Sequence, residues 1–76
     1  MKNDILRKAN YRYNFDRDLY FNRQAKKAFS LEFVDDHPEE ELVQRIAEAS
    51  ARDEWIFYSN TDLSESVKLE LERVLA

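Results

Sequence analysis

The chain has 76 residues, 12 Lys/Arg against 16 Asp/Glu for a net charge of −4, and neither glycine nor cysteine. That length makes one domain (1–76) at most, hides only ~60% of the surface an unfolded chain exposes, and without cysteine must do so without disulfide staples. The missing glycine excludes the phosphate-cradling P-loop, the dinucleotide fingerprint and the G-x-S-x-G nucleophile elbow, each of which needs backbone without a Cβ.

Residues 1–9 read as a tail or a short helical turn, with Ile5, Leu6 and Ala9 able to cover a core edge. Lys2 and Asp4 flank only the apolar pair Ile5–Leu6, which is not a signal peptide. No apolar run approaches the ~18 residues of a membrane span. The expected location is therefore the cytoplasm.

From Tyr11 the period becomes two. Tyr11, Tyr13, Phe15, Leu19 and Phe21 share one parity, while Arg12, Asn14, Asp16, Asp18 and Asn22 share the other. Such alternation marks a half-buried strand. Arg17 interrupts the apolar parity. Either one long strand bends there, or a turn at Asp16–Arg17–Asp18 makes two strands. Parity continues across the break and no glycine is present for a tight turn, so one bent strand is the preferred reading. The polar stretch 22–26 is a hairpin connection. Phe29, Leu31 and Phe33 then alternate with Ser30 and Glu32, which predicts a second, antiparallel strand over 27–34.

Pro38 suits the first position of a helix over 38–51, where its missing N–H would be unpaired anyway. Glu39, Glu40 and Glu41 follow at the positive end of the helix dipole. Leu42, Val43, Ile46, Ala49 and Ser50 fall on one arc, and Glu41–Arg45 and Glu48–Arg52 are i,i+4 pairs. Trp55–Ile56–Phe57–Tyr58 has high strand propensity and large side chains on both parities. Asn60–Thr61–Asp62 begins a final helix, capped by Asp62 or Ser64, with Leu63, Val67, Leu71, Val74 and Leu75 on its apolar side and Leu69 opposite.

These elements predict an α/β (α+β) two-layer sandwich of ββαβα order. Its three-stranded, mostly antiparallel sheet has the long first strand in the centre and carries both helices on one face. The crossover through the first helix makes the Trp55 strand parallel to the strand over 27–34. The opposite face would carry Arg12, Asn14, Tyr20, Ser30 and Glu32.

No arrangement of catalytic side chains is recognisable, so the expected function is non-enzymatic, without a metal or other cofactor. His37 before Pro38 fits a helix cap better than a general base. Asp35, Asp36 and Glu39–Glu41 lack the alternation and central glycine of a calcium loop. Charge is unevenly divided: residues 1–27 hold eight Lys/Arg against Asp4, Asp16 and Asp18, a net of +5, and the remainder has a net of −9. The basic hairpin and the acidic helices either neutralise each other or face a charged partner.

The leading expectation is a protein-interaction or regulatory domain that binds a protein partner or a second copy of itself. Its contact surface would draw on Arg12, Tyr20, Arg23, Lys27, Trp55 and Leu69. Two alternatives stand beside it. One is an acidic inhibitor or antitoxin-like protein that engages a basic partner through Glu32, Asp35, Asp36 and Glu39–Glu41. The other is single-stranded nucleic-acid binding through the basic, tyrosine-bearing hairpin.

Overall fold

The computed structural model describes residues 1–48 and 54–75. In chain order its elements are α1 (Lys2–Lys8), β1 (Arg12–Asn14), β2 (Leu19–Asn22), β3 (Lys27–Ser30), α2 (Leu31–Asp36), α3 (Glu39–Ala47), β4 (Ile56–Tyr58) and α4 (Glu65–Leu75). The α+β class matches the sequence reading. The strands lie in the order β1-β2-β3-β4, antiparallel except for the parallel β3–β4 pair. The parallel direction of β4 relative to β3 is as the crossover predicts, but β3 and β4 are direct neighbours and the 12–22 segment lies to one side of them rather than in the centre.

The sheet has four strands, not three, because the segment 11–22 turns rather than bends. Asp18 holds φ at 50° and so takes the left-handed position that a glycine would normally occupy. The Asn14 side-chain oxygen accepts the Arg17 N–H at 3.0 Å and closes the same turn. The next connection repeats the device. Asn22 Oδ1 accepts the Ala25 N–H at 3.1 Å, and Lys26 holds φ at 54°. Aspartate tolerates this region because its short side chain bonds locally; lysine has no such compensation.

The first turn also exchanges parities. Tyr13 pairs with Tyr20, Tyr20 with Phe29, and Phe29 with Tyr58, so these four share one face. Phe21, Ala28 and Phe57 form the corresponding row on the other face. Tyr20, expected on an open face, therefore packs against the core cluster of Leu6, Tyr11, Phe29, Phe33, Val34 and Leu42. α1, α2 and α3 cover this side. Leu19 and Ala28 form a second cluster with Leu71 and Leu75, flanked by Phe21, Trp55, Phe57 and Leu63. α4 thus covers the other face and the molecule has three layers, α/β/α. The two-layer expectation fails because large residues of both parities in 55–58 and 19–21 need cover on both sides.

β3 stops at Ser30, four residues earlier than its alternation suggests. Ser30 Oγ accepts the Phe33 N–H at 3.1 Å and caps α2. Phe33, Val34 and His37 then follow helical spacing. Pro38 is the N-cap of α3 rather than its first residue, and Glu39–Glu41 form the first turn. The Glu41–Arg45 pair closes at 3.4 Å. Ala49, Ser50 and Arg52 lie outside the described residues. Ser64 caps α4, accepting the Val67 N–H at 3.3 Å.

α1 ends in a Schellman motif. The Tyr11 N–H donates to Leu6 O at 2.9 Å, the Asn10 N–H donates to Arg7 O at 3.0 Å, and Asn10 holds φ at 69°. Tyr11 is thereby driven into the core at 4% exposure, yet its hydroxyl has no hydrogen-bond partner among the described residues. An unmade buried bond costs ~1–3 kcal/mol, so Tyr11→Phe is expected to stabilise the fold by ~1 kcal/mol at neutral pH. Burial, then the nearby Tyr58, pushes the Tyr11 hydroxyl from 10.0 up to about 12. A raised folded-state value means stability that is complete below pH 10 and lost as pH climbs through 12. Tyr11 alone accounts for a loss of ~2–3 kcal/mol across that window. Urea titrations at pH 9 and pH ~12 should show the Tyr11→Phe protein losing less than the parent; equal losses would refute this account.

A candidate anion-binding groove

The Schellman turn at Asn10 reverses the chain so that Arg7, in the last turn of α1, and Arg12, the first residue of β1, flank one concavity. Arg23 reaches the same place from the β2–β3 turn. The groove has a volume of about 540 Å³, and Asn10, Tyr11, Phe21, Asn22 and Gln24 complete its wall. No acidic residue among the described ones lines it.

Each arginine is held differently. Arg23 donates through Nε to Leu75 O at 2.6 Å, and its guanidinium lies 5.5 Å from the Phe21 ring centroid. Both contacts fix its direction. Arg12 stands opposite Phe21 in the β1–β2 register, within cross-strand reach of that ring. Arg7 and Arg12 are exposed, and neither has an ion-pair partner among the described residues. Three positive charges gathered here, with no acidic side chain among the described residues lining the groove, form a site whose potential attracts anions.

A second recess of about 390 Å³ shares Arg7, Tyr11 and Arg12 with the first and adds Asn3, Tyr13 and Tyr20. The two recesses adjoin through these shared residues along β1, with Arg23 at one end and Tyr13 and Tyr20 at the other. At the tyrosine end, the Tyr13 and Tyr20 rings lie 5.0 Å apart at 54°, and Phe15 meets Tyr13 edge-on at 5.0 Å. Tyr13 OH donates to Asp18 at 2.8 Å. That bond, assisted by the charge of Asp18, raises the Tyr13 hydroxyl above its usual value.

Comparison with protein-family models, with curated proteins and with solved structures finds no match to this chain.

The six residues expected at a contact surface divide. Arg12 and Arg23 share the arginine end of the groove, and Tyr20 lines its other end beside Arg12. Lys27 is not on the surface: it is 2% exposed and its ammonium is bonded to carbonyls of the α3 terminus. Trp55 is half-buried in the second core cluster, stacked on Phe57 at 6.0 Å. Leu69 is exposed on α4 and lines neither recess. Among the exposed large apolar side chains, Met1, Phe15 and Val43 lie in separate parts of the chain, while Val67, Leu69 and Val74 are all on α4.

Several acids of the 32–41 segment are engaged within the molecule. Asp36 accepts from Asn60 Nδ2 at 2.5 Å, Glu39 faces the N-terminal amine at 3.6 Å, and Glu41 pairs with Arg45. His37 ends α2, with Nδ1 2.8 Å from Phe33 O and its ring stacked on Phe33 at 3.9 Å. No group of three or more His, Asp or Glu among the described residues is placed to hold a metal. Among them, too, no helix is long and apolar enough to cross a membrane.

Arg7 and Asn10 were not singled out by the sequence. The signal lies in Asn10: in a chain without glycine, an asparagine between a helix and a strand marks a left-handed turn, which returns Arg7 to the side of Arg12.

Proposed function

We propose that the chain is a non-enzymatic binding domain whose contact surface is the groove past β1, and that its ligand carries repeated negative charge. The observation that carries this reading is the convergence of Arg7, Arg12 and Arg23 from three separate parts of the chain on one groove that no acidic residue among the described ones lines. Chance surface charge is expected to mix signs, above all in a chain of net charge −4. Acids elsewhere act through screened solvent, with a Debye length of ~8 Å at physiological salt, so the local field at the groove is set by the arginines.

The test is titration of the protein with inorganic polyphosphate at low salt, followed by calorimetry. Arg7→Glu combined with Arg12→Glu is expected to weaken binding at least ~10-fold, because attraction becomes repulsion at two of three positions. Both side chains are exposed, so the fold should change by less than ~0.5 kcal/mol, checked by Trp55 fluorescence. Binding that survives the double substitution, or no binding by the parent, would overturn the reading.

A further inference from the structure

Resting on that reading, we infer that the groove takes a single-stranded nucleic acid, with bases on Tyr13 and Tyr20 and phosphates on Arg7, Arg12 and Arg23. Arg7 and Arg12 line both recesses, Arg23 lines the first, and Tyr13 and Tyr20 line the second, so cationic side chains stand beside aromatic rings past β1. A nucleotide strand presents planar bases beside charged phosphates, which fits this pairing of rings with arginines. An acidic peptide presents carboxylates and no planar base for the rings.

The tyrosines also form a fixed support. Tyr20 packs against the first core cluster, and Tyr13 is opposite it in the register with its ring 5.0 Å away. Rings already held in place lose little freedom when a base stacks on them. Stacking on aromatic rings beside a positively charged track is how proteins hold single strands with little sequence preference. A duplex keeps its bases stacked inside and offers the tyrosines nothing.

Fluorescence anisotropy with a labelled oligothymidine of ~8 nucleotides tests the inference. Binding should weaken with salt, and Arg12→Ala should reduce the slope of log K against log salt by ~0.7, the share of one single-strand phosphate. An abasic strand with the same phosphates should bind the parent protein ~10-fold more weakly. Tyr13→Leu should lower oligothymidine affinity by a similar factor and leave the salt slope unchanged. The abasic comparison needs no substitution, so it decides the matter even if Tyr13→Leu disturbs the sheet. Equal affinity for abasic and intact strands, equal affinity for the duplex, or tighter binding of polyglutamate would overturn the inference. If polyphosphate binds and the oligonucleotide does not, this inference fails and the anion-binding reading stands. If neither binds, both fail.

Discussion

Phe29→Ala is expected to cost ~3–5 kcal/mol, the largest loss from any single truncation in this molecule. Phe29 is 0% exposed on β3, an inner strand, and is the point where the layers of the first core meet. Its ring stacks on Tyr58 at 4.6 Å, meets Tyr11 at 5.5 Å and lies 5.9 Å from Phe33. Truncation therefore removes three ring contacts at once, each worth ~0.5–1.5 kcal/mol beyond area burial. A domain of this size has ~4–11 kcal/mol in total, so the variant should melt at least ~12 °C lower or fail to fold. Phe15→Ala is the matched control: Phe15 is 83% exposed at the β1–β2 turn, and its loss should change stability by ~0.5 kcal/mol or less. Denaturant titrations of both proteins check this. Similar midpoints would mean that Phe29 is not the keystone of the core.

The same pair of residues shows what the sequence made legible. Phe15 and Phe29 look alike in an alternating pattern, and the alternation correctly marks strands around both. The turn between β1 and β2 was hidden because Asp18 performs a task usually visible as glycine. Missing it had a second consequence: the register after the turn exchanges parities, and Tyr20 moves from the open face to the core side. Ser30 misled in the opposite way. Its capping hydroxyl ended β3 inside what read as a continuing alternation. Periodicity is blind to both devices, because each depends on one side chain bonding to the local backbone. The basic character of the hairpin was legible, and Arg12 and Arg23 do share a groove. Arg7 was not, since its place beside them follows from the reversal at Asn10. The burial of Lys27 was beyond any local pattern, because its partners lie 18–21 residues away.

Lys27→Met is expected to destabilise the fold by ~2–4 kcal/mol. α3 ends at Ala47 with carbonyls that have no partner within the helix. The Lys27 ammonium reaches them from the first residue of β3, donating to Arg45 O at 2.9 Å, Ile46 O at 3.2 Å and Glu48 O. A positive charge at the negative end of the helix adds to those bonds. Methionine fills the same volume but leaves three acceptors buried without donors. Lys27→Arg keeps charge and donors but changes their geometry, and should lose less. Burial lowers the Lys27 pKa from 10.5, only partly opposed by Glu48. As pH rises through the lowered folded-state value towards 10.5, the unfolded chain holds more protons than the folded one, and stability rises across that window. In Lys27→Met that rise should vanish, while the tyrosine-dependent loss above pH 10 persists. Thermal melts from pH 8 to ~12 separate the two effects. A Lys27→Met protein as stable as the parent, with an unchanged pH profile, would show that the α3 carbonyls do not need the lysine.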